Sequence, residues 1–269
     1  LAGNRTTPIV VAIAAELGLT IPKTSSRAIT SAAGTADTMA MLAPVDLDET
    51  QIRRVVETCG GCIAWGGAMN LAPADDRLIR IERALDIDSA GQLVASVLSK
   101  KIAAGSTHVV IDVPVGPTAK VRDHVEAESL AALLQQVAAA FALQLRVLLS
   151  DGSQPVGRGI GPALEAHDVL AVLRNEPHAP PDLRAHALAI AAAVLELGGV
   201  AGGDASLAMA TTCLETGRAW QRFQSICAAQ GGMRTPGKAA YQQAVPAAQP
   251  GRVTAIDNRR LSRVAKLAG

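Results

Sequence analysis

Short apolar runs alternate with longer segments of helical periodicity along most of the chain. Runs rich in β-branched residues predict strands at residues 18–25, 62–65, 107–115 and 145–149. Amphipathic spacing predicts helices at residues 8–17, 37–42, 45–57, 78–84, 90–104, 126–142, 162–174, 182–197 and 205–229. Strands that alternate with helices indicate an α/β protein whose mostly parallel sheet is flanked by helices.

Two of the predicted helices begin at hydroxyl residues, and the last part of the chain changes composition. Thr7 precedes Pro8 and fits the N-cap position of the first helix, and Thr35 fits that of the next. Residues 230–250 are rich in Gly, Pro, Ala and Gln, which predicts a linker to a following segment at residues 251–269. The chain starts at Leu1 and stops in a sequence that reads as continuing, so we expect a fragment of a longer protein.

Composition excludes several classes of partner. The chain has 269 residues and a net charge of +1, and it holds two Trp, one Tyr and two Phe. Neither a basic field nor aromatic stacking platforms are available, so we expect no nucleic-acid partner. The best candidate for a membrane span, residues 131–149, is interrupted by three Gln and one Arg. We therefore expect no membrane partner and a cytoplasmic protein.

Cys59-Gly-Gly-Cys62 has the spacing of a redox pair or of half a zinc site. A second Cys or His pair with metal-ligand spacing does not follow in the sequence, so we expect no metal. A redox role would need a thioredoxin-like context, and the alternative is an ordinary entry from a loop into a strand. We favour the loop-to-strand interpretation.

The stretch T-S-S-R-A-I-T-S-A-A-G-T-A-D, residues 24–37, follows a predicted strand and leads into a predicted helix. Hydroxyls, a guanidinium and free N–H groups at a helix start are the donors that bind phosphate. The stretch therefore predicts a phosphate site, to which Thr7 could contribute from the first helix. The alternative is a polar loop that only caps a helix, with Arg27 paired to Asp37.

This stretch resembles the signature of the thymidine phosphorylase and AMP phosphorylase family. The resemblance continues in N-L-A-P-A-D-D (70–76), A-S-V-L-S-K-K (95–101), I-D-V-P-V-G (111–116) and S-D-G-S-Q-P-V-G-R-G-I-G-P-A-L-E (150–165). It implies an α/β phosphate-binding domain at residues 1–71 and 105–229, and part of a small all-helical, base-binding lobe at residues 72–104. It also implies a homodimer and a cleft between lobe and domain. We expect this chain to lack the family's upstream Lys-His-Ser loop.

The resemblance also implies roles for individual residues. It assigns phosphate or nucleotide binding to ten residues: Thr7, Ser25, Ser26, Arg27, Ala28, Ile29, Thr30, Ser31, Thr35 and Lys120. Base binding falls to Ser96 and Lys100, which are one helical turn apart, and proton donation to the leaving base falls to Asp88. Structural roles stay open as alternatives: Asp88 could be an N-cap, and Lys100 and Lys120 could be solvated side chains.

Together these features predict reversible phosphorolysis of a pyrimidine nucleoside, with inorganic phosphate as co-substrate and no cofactor. The long S-S-R-A-I-T-S form is closer to the AMP phosphorylase branch, and Ile81-Glu82 replaces a base-contacting Arg of thymidine phosphorylases. Phosphorolysis of AMP or another nucleoside 5′-monophosphate is therefore the alternative. A third possibility is a catalytically incompetent binding or dimerisation core, and we expect the fragment alone to be inactive.

Overall fold

The structure is a computed structural model that describes residues 5–28, 31–68 and 90–268. Its first half contains α1 (Thr6–Glu16), β1 (Ile21–Ser25), α2 (Thr35–Ala40), α3 (Glu49–Cys59), β2 (Gly61–Trp65) and a 3-10 turn (Gly66–Ala68). It continues with α4 (Ala90–Ala103), β3 (His108–Val115), α5 (His124–Ala140), β4 (Gln144–Asp151) and α6 (Pro162–Leu173). The last elements are α7 (Pro181–Leu197), α8 (Asp204–Glu215), α9 (Arg218–Ala229) and α10 (Asn258–Ala268).

The described strands form two parallel pairs. Strand β1 pairs with β2 from Ile21–Gly61 to Ser25–Trp65, and β3 pairs with β4 from His108–Gln144 to Val115–Asp151. Helix α7 contacts α1 on one side and the β3–β4 pair on the other, so it connects the two halves. Parallel strands covered by helices confirm the predicted α/β class.

Helix α1 forms the centre of the larger hydrophobic core. Residues on every side of it are buried, among them Ile9, Val10, Val11 and Ile13. Residues 8–15 of this helix are all apolar, so the helix has to be surrounded. It is enclosed by α6, α7, α8, α9 and both strands of the first pair. A second core lies between β3, β4, α4 and α5, where Val94 and Leu98 of α4 pack with Leu134 of α5.

Several helix boundaries and N-caps differ from the sequence-based predictions. Residues 205–229 form two helices, because Gly217 adopts a left-handed φ of 77° between α8 and α9. Helix α3 starts at Glu49 rather than at residue 45, since the Asp48 carboxylate accepts from Gln51 N at 2.8 Å. Thr7 and Thr35 are not N-caps: Arg5 and Gly34 occupy those positions, and both threonines lie inside their helices.

The segment at residues 230–250, which the structure describes throughout, contains neither helix nor strand. Its first residues are attached to the first half of the protein. The Gln230 side chain is buried and bonds both the N–H and the carbonyl of Ile63, which places its amide along β2. Arg234 N donates to Leu42 O at 2.7 Å. The predicted domain and linker boundaries stay predictions.

In the described part of the chain, helices are too short or too polar to cross a bilayer.

Candidate functional site

The hydroxyl loop, which we define as residues 25–35, folds back over the start of α2. Asp37 holds it there, since its Oδ2 accepts from Ala28 N at 2.6 Å and from Gly34 N at 3.0 Å. Gly34 is required by this close approach, because a Cβ at that position would lie 2.5 Å from the Ser26 carbonyl oxygen. The described parts of the loop, residues 25–28 and 31–35, are therefore held together at the carboxyl end of β1.

Hydroxyl groups are distributed along the described part of this loop. Ser25 is half-buried at the end of β1, Ser26 is exposed, and Thr35 is buried in the first turn of α2. Ser31 Oγ donates to the carbonyl of Ala33 at 2.7 Å, so that hydroxyl supports the loop itself. Ile29 and Thr30 lie outside the described residues.

Arg27 is engaged by carboxylates. Its guanidinium lies 3.3 Å from an oxygen of Asp37 and 3.3 Å from one of Asp46, and its Cζ is 4.9 Å from the centre of the Trp65 ring. The ion pair with Asp37 is therefore present, while the role of Arg27 in phosphate binding stays a prediction. The side chain is 41% exposed, so solvent weakens both pairs and an arriving anion could compete for it.

The start of α1 carries a side chain that the sequence analysis missed. Arg5 is fully buried, its Nη1 donates to Asp168 Oδ2 at 2.6 Å, and its Nη2 lies 3.5 Å from Glu165 Oε1. We call these three residues the buried ion cluster. Thr6 is buried beside it and Thr7 is half-buried in the same first turn.

Glycines 157, 159 and 161 do not form a phosphate-binding loop. Asp168 Oδ2 accepts from Arg158 N and Gly159 N, each at 2.8 Å, and Glu165 accepts from Gly161 N at 3.3 Å. Internal carboxylates thus take the amides that a phosphate would need. Gly157 and Gly161 have φ values of 79° and 107°, which glycine adopts without strain, so these two glycines serve the shape of the loop.

Lys101, near the end of α4, is close enough to Lys23 on β1 to repel it, and Lys100 is close enough to repel Lys101. We call Lys23, Lys100 and Lys101 the lysine cluster. Burial and repulsion from Lys101 lower the pKa of Lys23 to about 7. Burial and repulsion from Lys100 also lower the pKa of Lys101. Lys23 Nζ donates to the carbonyl of Thr24 at 2.6 Å. Positive charges held together in this way favour an anion nearby.

Two of the three lysines lie on α4, the predicted base-binding helix. Ser96 and Lys100 are both half-buried, one turn apart on α4, as the sequence predicted. Their roles stay predictions. Lys23 and Lys101 were missed, although a lysine inside a half-buried strand and a Lys-Lys pair at a helix end are visible signals.

The remaining predicted site residues divide into two groups. Lys120 is exposed on the turn after β3, on the other strand pair from Ser25. Asp88 lies outside the described residues, as do Ile81 and Glu82. Contacts of Glu165 connect α1 with α2, where the hydroxyl loop ends. Helix α4 packs instead with β3, β4 and α5, the half of the structure to which Lys120 belongs.

Cys59 and Cys62 are both buried, at the end of α3 and in β2. Burial raises the pKa of both thiols, that of Cys62 to about 12. A redox pair needs an accessible thiolate, so the loop-to-strand interpretation is the one that the structure supports. Within the described residues, groups of His, Cys, Asp and Glu suited to a metal ion are absent.

Comparison with known proteins agrees with this geometry. Residues 4–220 match the family described as "Glycosyl transferase family, a/b domain". The chain belongs to this glycosyl transferase family. Its buried α1, its hydroxyl loop and most of its helices lie inside the matched region.

Curated relatives show which proteins of the family this chain is similar to. The chain is 66% identical over its whole length to proteins named "Putative thymidine phosphorylase" from Parvibaculum lavamentivorans and Tolumonas auensis, and it covers 53% of each. It therefore spans about half the length of the curated relatives it matches. The resemblance to the thymidine phosphorylase family is confirmed.

A solved structure supports the fold. The crystal structure of anthranilate phosphoribosyltransferase from Thermus thermophilus is similar, with a TM-score of 0.66 over 84% of this chain and 73% of that one. The two sequences are only 17% identical, so the likeness concerns the glycosyl transferase fold and carries no information on the substrate.

Proposed function

We propose that the full-length protein containing this chain is a pentosyltransferase that cleaves a pyrimidine nucleoside with inorganic phosphate. The observation that carries the proposal is the hydroxyl loop, closed by Asp37 at the carboxyl end of β1 in a chain of this family. Ligands of α/β proteins bind at this end of the strands. The proposal includes phosphate as co-substrate, no cofactor, and a homodimer.

In the proposed reaction, a phosphate oxygen attacks the anomeric carbon of the pentose. The bond from that carbon to the base nitrogen breaks, and the base takes the electron pair. Asp88 donates a proton to the departing base, or Lys100 stabilises the base as an anion. The products are the free base and a pentose 1-phosphate, so that atoms and charge balance.

The chain's own residues would mainly hold two reactants in line. Thr7, Ser25 and Thr35 would donate hydroxyl hydrogen bonds to phosphate, and Ser96 and Lys100 would orient the base. Orientation of this kind contributes roughly 7–11 kcal/mol of a two-reactant barrier in favourable cases. This division of labour predicts separate effects on the Michaelis constants for phosphate and for nucleoside.

A nucleoside 5′-monophosphate is the second candidate substrate, and the lysine cluster favours it. Burial first, and repulsion second, lower the pKa of Lys23 and of Lys101; Lys101 repels Lys23, and Lys100 repels Lys101. A second phosphate group nearby would relieve that repulsion. The adjoining hydroxyl loop offers further donors. We therefore include nucleotides among the substrates to be tested.

A substrate panel tests the proposal and separates the candidates. Full-length protein is incubated with phosphate and with thymidine, uridine, AMP, CMP or UMP, and base release and pentose 1-phosphate are measured. Thymidine turnover is the expected result, whereas turnover of nucleotides alone would establish the second candidate. Base release that does not require phosphate, or none with any substrate, would contradict both.

A further inference from the structure

The buried ion cluster lies at the junction of α1, the glycine-containing loop at residues 157–161, and α6. Arg5 is fully buried and Glu165 is 1% exposed, so the contact between them is shielded from water. Withdrawing charges from water costs several kcal/mol per ion, and apolar side chains of the same volume often pack as stably. An ionic cluster at this junction therefore suggests a need for defined orientation.

The two carboxylates of the cluster are held differently. Asp168 accepts three short bonds, from Arg5 Nη1 at 2.6 Å and from two backbone N–H groups at 2.8 Å. The contacts of Glu165 with Arg5 and with the glycine-containing loop are longer: 3.5 Å to Arg5 Nη2 and 3.3 Å to Gly161 N. Asp168 thus anchors the glycine-containing loop, while Glu165 is available for a further partner.

That partner is on α2. Thr38 is fully buried, and its Oγ1 donates to Glu165 Oε2 at 3.3 Å. Thr38 lies three residues after Thr35 on the helix that the hydroxyl loop enters. Arg5, on the other side of the Glu165 carboxylate, lies two residues before Thr7. One buried carboxylate therefore lies between the two helices that carry Thr7 and Thr35.

We infer that Glu165 is a positioning residue that sets Thr7 and Thr35 relative to one another, and so shapes the phosphate subsite. This inference rests on the proposed function, because it assigns those two hydroxyls to phosphate. Glu165 itself touches neither reactant. A displacement of about 1 Å at groups that orient a reactant is enough to reduce rates by roughly 100-fold, so a buried link at this point matters.

The test uses the full-length protein, inorganic phosphate and two substitutions. Thr38→Val keeps the shape of the side chain and removes the hydroxyl that it offers to Glu165. Glu165→Gln keeps the shape of the carboxylate and removes its charge. Matched controls are Thr58→Val, whose hydroxyl bonds Arg54 O on an exposed helix, and Glu196→Gln, the exposed partner of Arg146.

The expected result is selective for phosphate. Both substitutions raise the Michaelis constant for phosphate by about tenfold or more, while that for the nucleoside stays within about twofold of wild type. Phosphate-induced stabilisation against heat falls in parallel. The two controls change neither quantity. Should Glu165→Gln not fold, Thr38→Val alone supplies the same comparison.

Other outcomes overturn the inference, and they are distinguishable from failure of the proposed reaction. If both variants keep the wild-type constant for phosphate, or raise both constants equally, Glu165 has only a structural role. If wild type releases no base but phosphate still stabilises it, and Thr38→Val loses that stabilisation, the positioning role stands and the proposed reaction is wrong. If phosphate neither reacts nor stabilises wild type, both proposals fall.

Discussion

The Arg27 guanidinium lies 4.9 Å from the centre of the Trp65 ring, so a residue assigned to phosphate binding rests on strand β2. In this position it also pairs with Asp37 and Asp46. The side chain of Asp46 is 62% exposed, so its ion pair with Arg27 is screened by solvent and weak. The arrangement leaves Arg27 able to exchange a carboxylate for an anionic substrate.

We predict that Asp46→Asn strengthens the binding of phosphate or nucleotide by roughly two- to fivefold, because one competing carboxylate is removed and pairs of this kind contribute about 0.2–1 kcal/mol. Binding can be followed by Trp fluorescence, since Arg27 would leave the Trp65 ring. Glu57→Gln, at an exposed position on α3, is the control. Unchanged affinity together with unchanged fluorescence would mean that Arg27 stays on Trp65 throughout.

A second prediction concerns the contact between Gly157 and the buried ion cluster. A Cβ at Gly157 would lie 2.4 Å from Arg5 Nη1, and the φ of 79° is unfavourable for any other residue. Gly157→Ala should therefore lower the free energy of unfolding by about 2 kcal/mol or more.

Chemical denaturation measures this effect. Gly202→Ala is the matched control, because a Cβ there has open space around it and its backbone is not left-handed. The control should change the free energy of unfolding by less than about 0.5 kcal/mol. Equal stability of the two variants would show that the loop at residues 157–161 can move away from Arg5 at little cost.

The parts of the fold that depend on a local residue pattern could be predicted from the sequence. Each described strand was expected within a few residues, because apolar β-branched runs between polar segments leave few alternatives. Gly217 was missed, since a single glycine in a helical pattern is compatible with either a break or a continuous helix. The N-cap of α1 was misplaced because a threonine before a proline looks like a cap whether or not an arginine takes that position. The N-cap of α2 was misplaced because Gly34, which takes that position, has no capping side chain to indicate it.

The site was predictable only in part, for a different physical reason. The hydroxyl loop is one contiguous stretch, so its chemistry is visible in the sequence. Arg5 and Asp168 are 163 residues apart, and nothing local to either indicates that they meet. Lys23 likewise owes part of its unusual pKa to Lys101, which lies on a distant helix. Long-range pairs of this kind require the fold.

A third prediction separates base recognition from proton transfer in the full-length protein. Lys100→Ala should raise the Michaelis constant for the nucleoside and lower turnover, since the ammonium would both orient the base and stabilise its charge. Asp88→Asn should mainly lower turnover, by about 100-fold or more, because an amide can cap a helix but cannot act as the acid.

Steady-state kinetics over a range of pH values tests both variants, with Lys238→Ala at an exposed position as the control. Full turnover of Asp88→Asn at every pH would leave Asp88 as a helix cap, and the acid would have to be sought elsewhere. An unchanged nucleoside constant in Lys100→Ala would favour the alternative of a solvated lysine.

A fourth prediction follows from the lowered pKa of Lys23. Its value falls from 10.5 to about 7 in the folded protein, chiefly through burial and secondly through repulsion from Lys101. Below about pH 7 both the folded and the unfolded chain hold the proton, and burial of the charged ammonium lowers the free energy of unfolding by its full amount. Between the two values only the unfolded chain holds it, so unfolding takes up a proton and the free energy of unfolding rises with pH.

The rise is measurable by denaturant titration between about pH 6 and pH 8.5, where its slope should approach about 1.4 kcal/mol per pH unit at most. Above this window the buried cysteines act in the opposite direction, because burial raises the pKa of their thiols and the unfolded chain then loses protons first. Lys23→Met should flatten the slope and raise stability at about pH 6, whereas Lys238→Met should change neither. If the free energy of unfolding still rises with pH in Lys23→Met, the proton taken up on unfolding belongs to Lys101, whose pKa is lowered by burial and by Lys100.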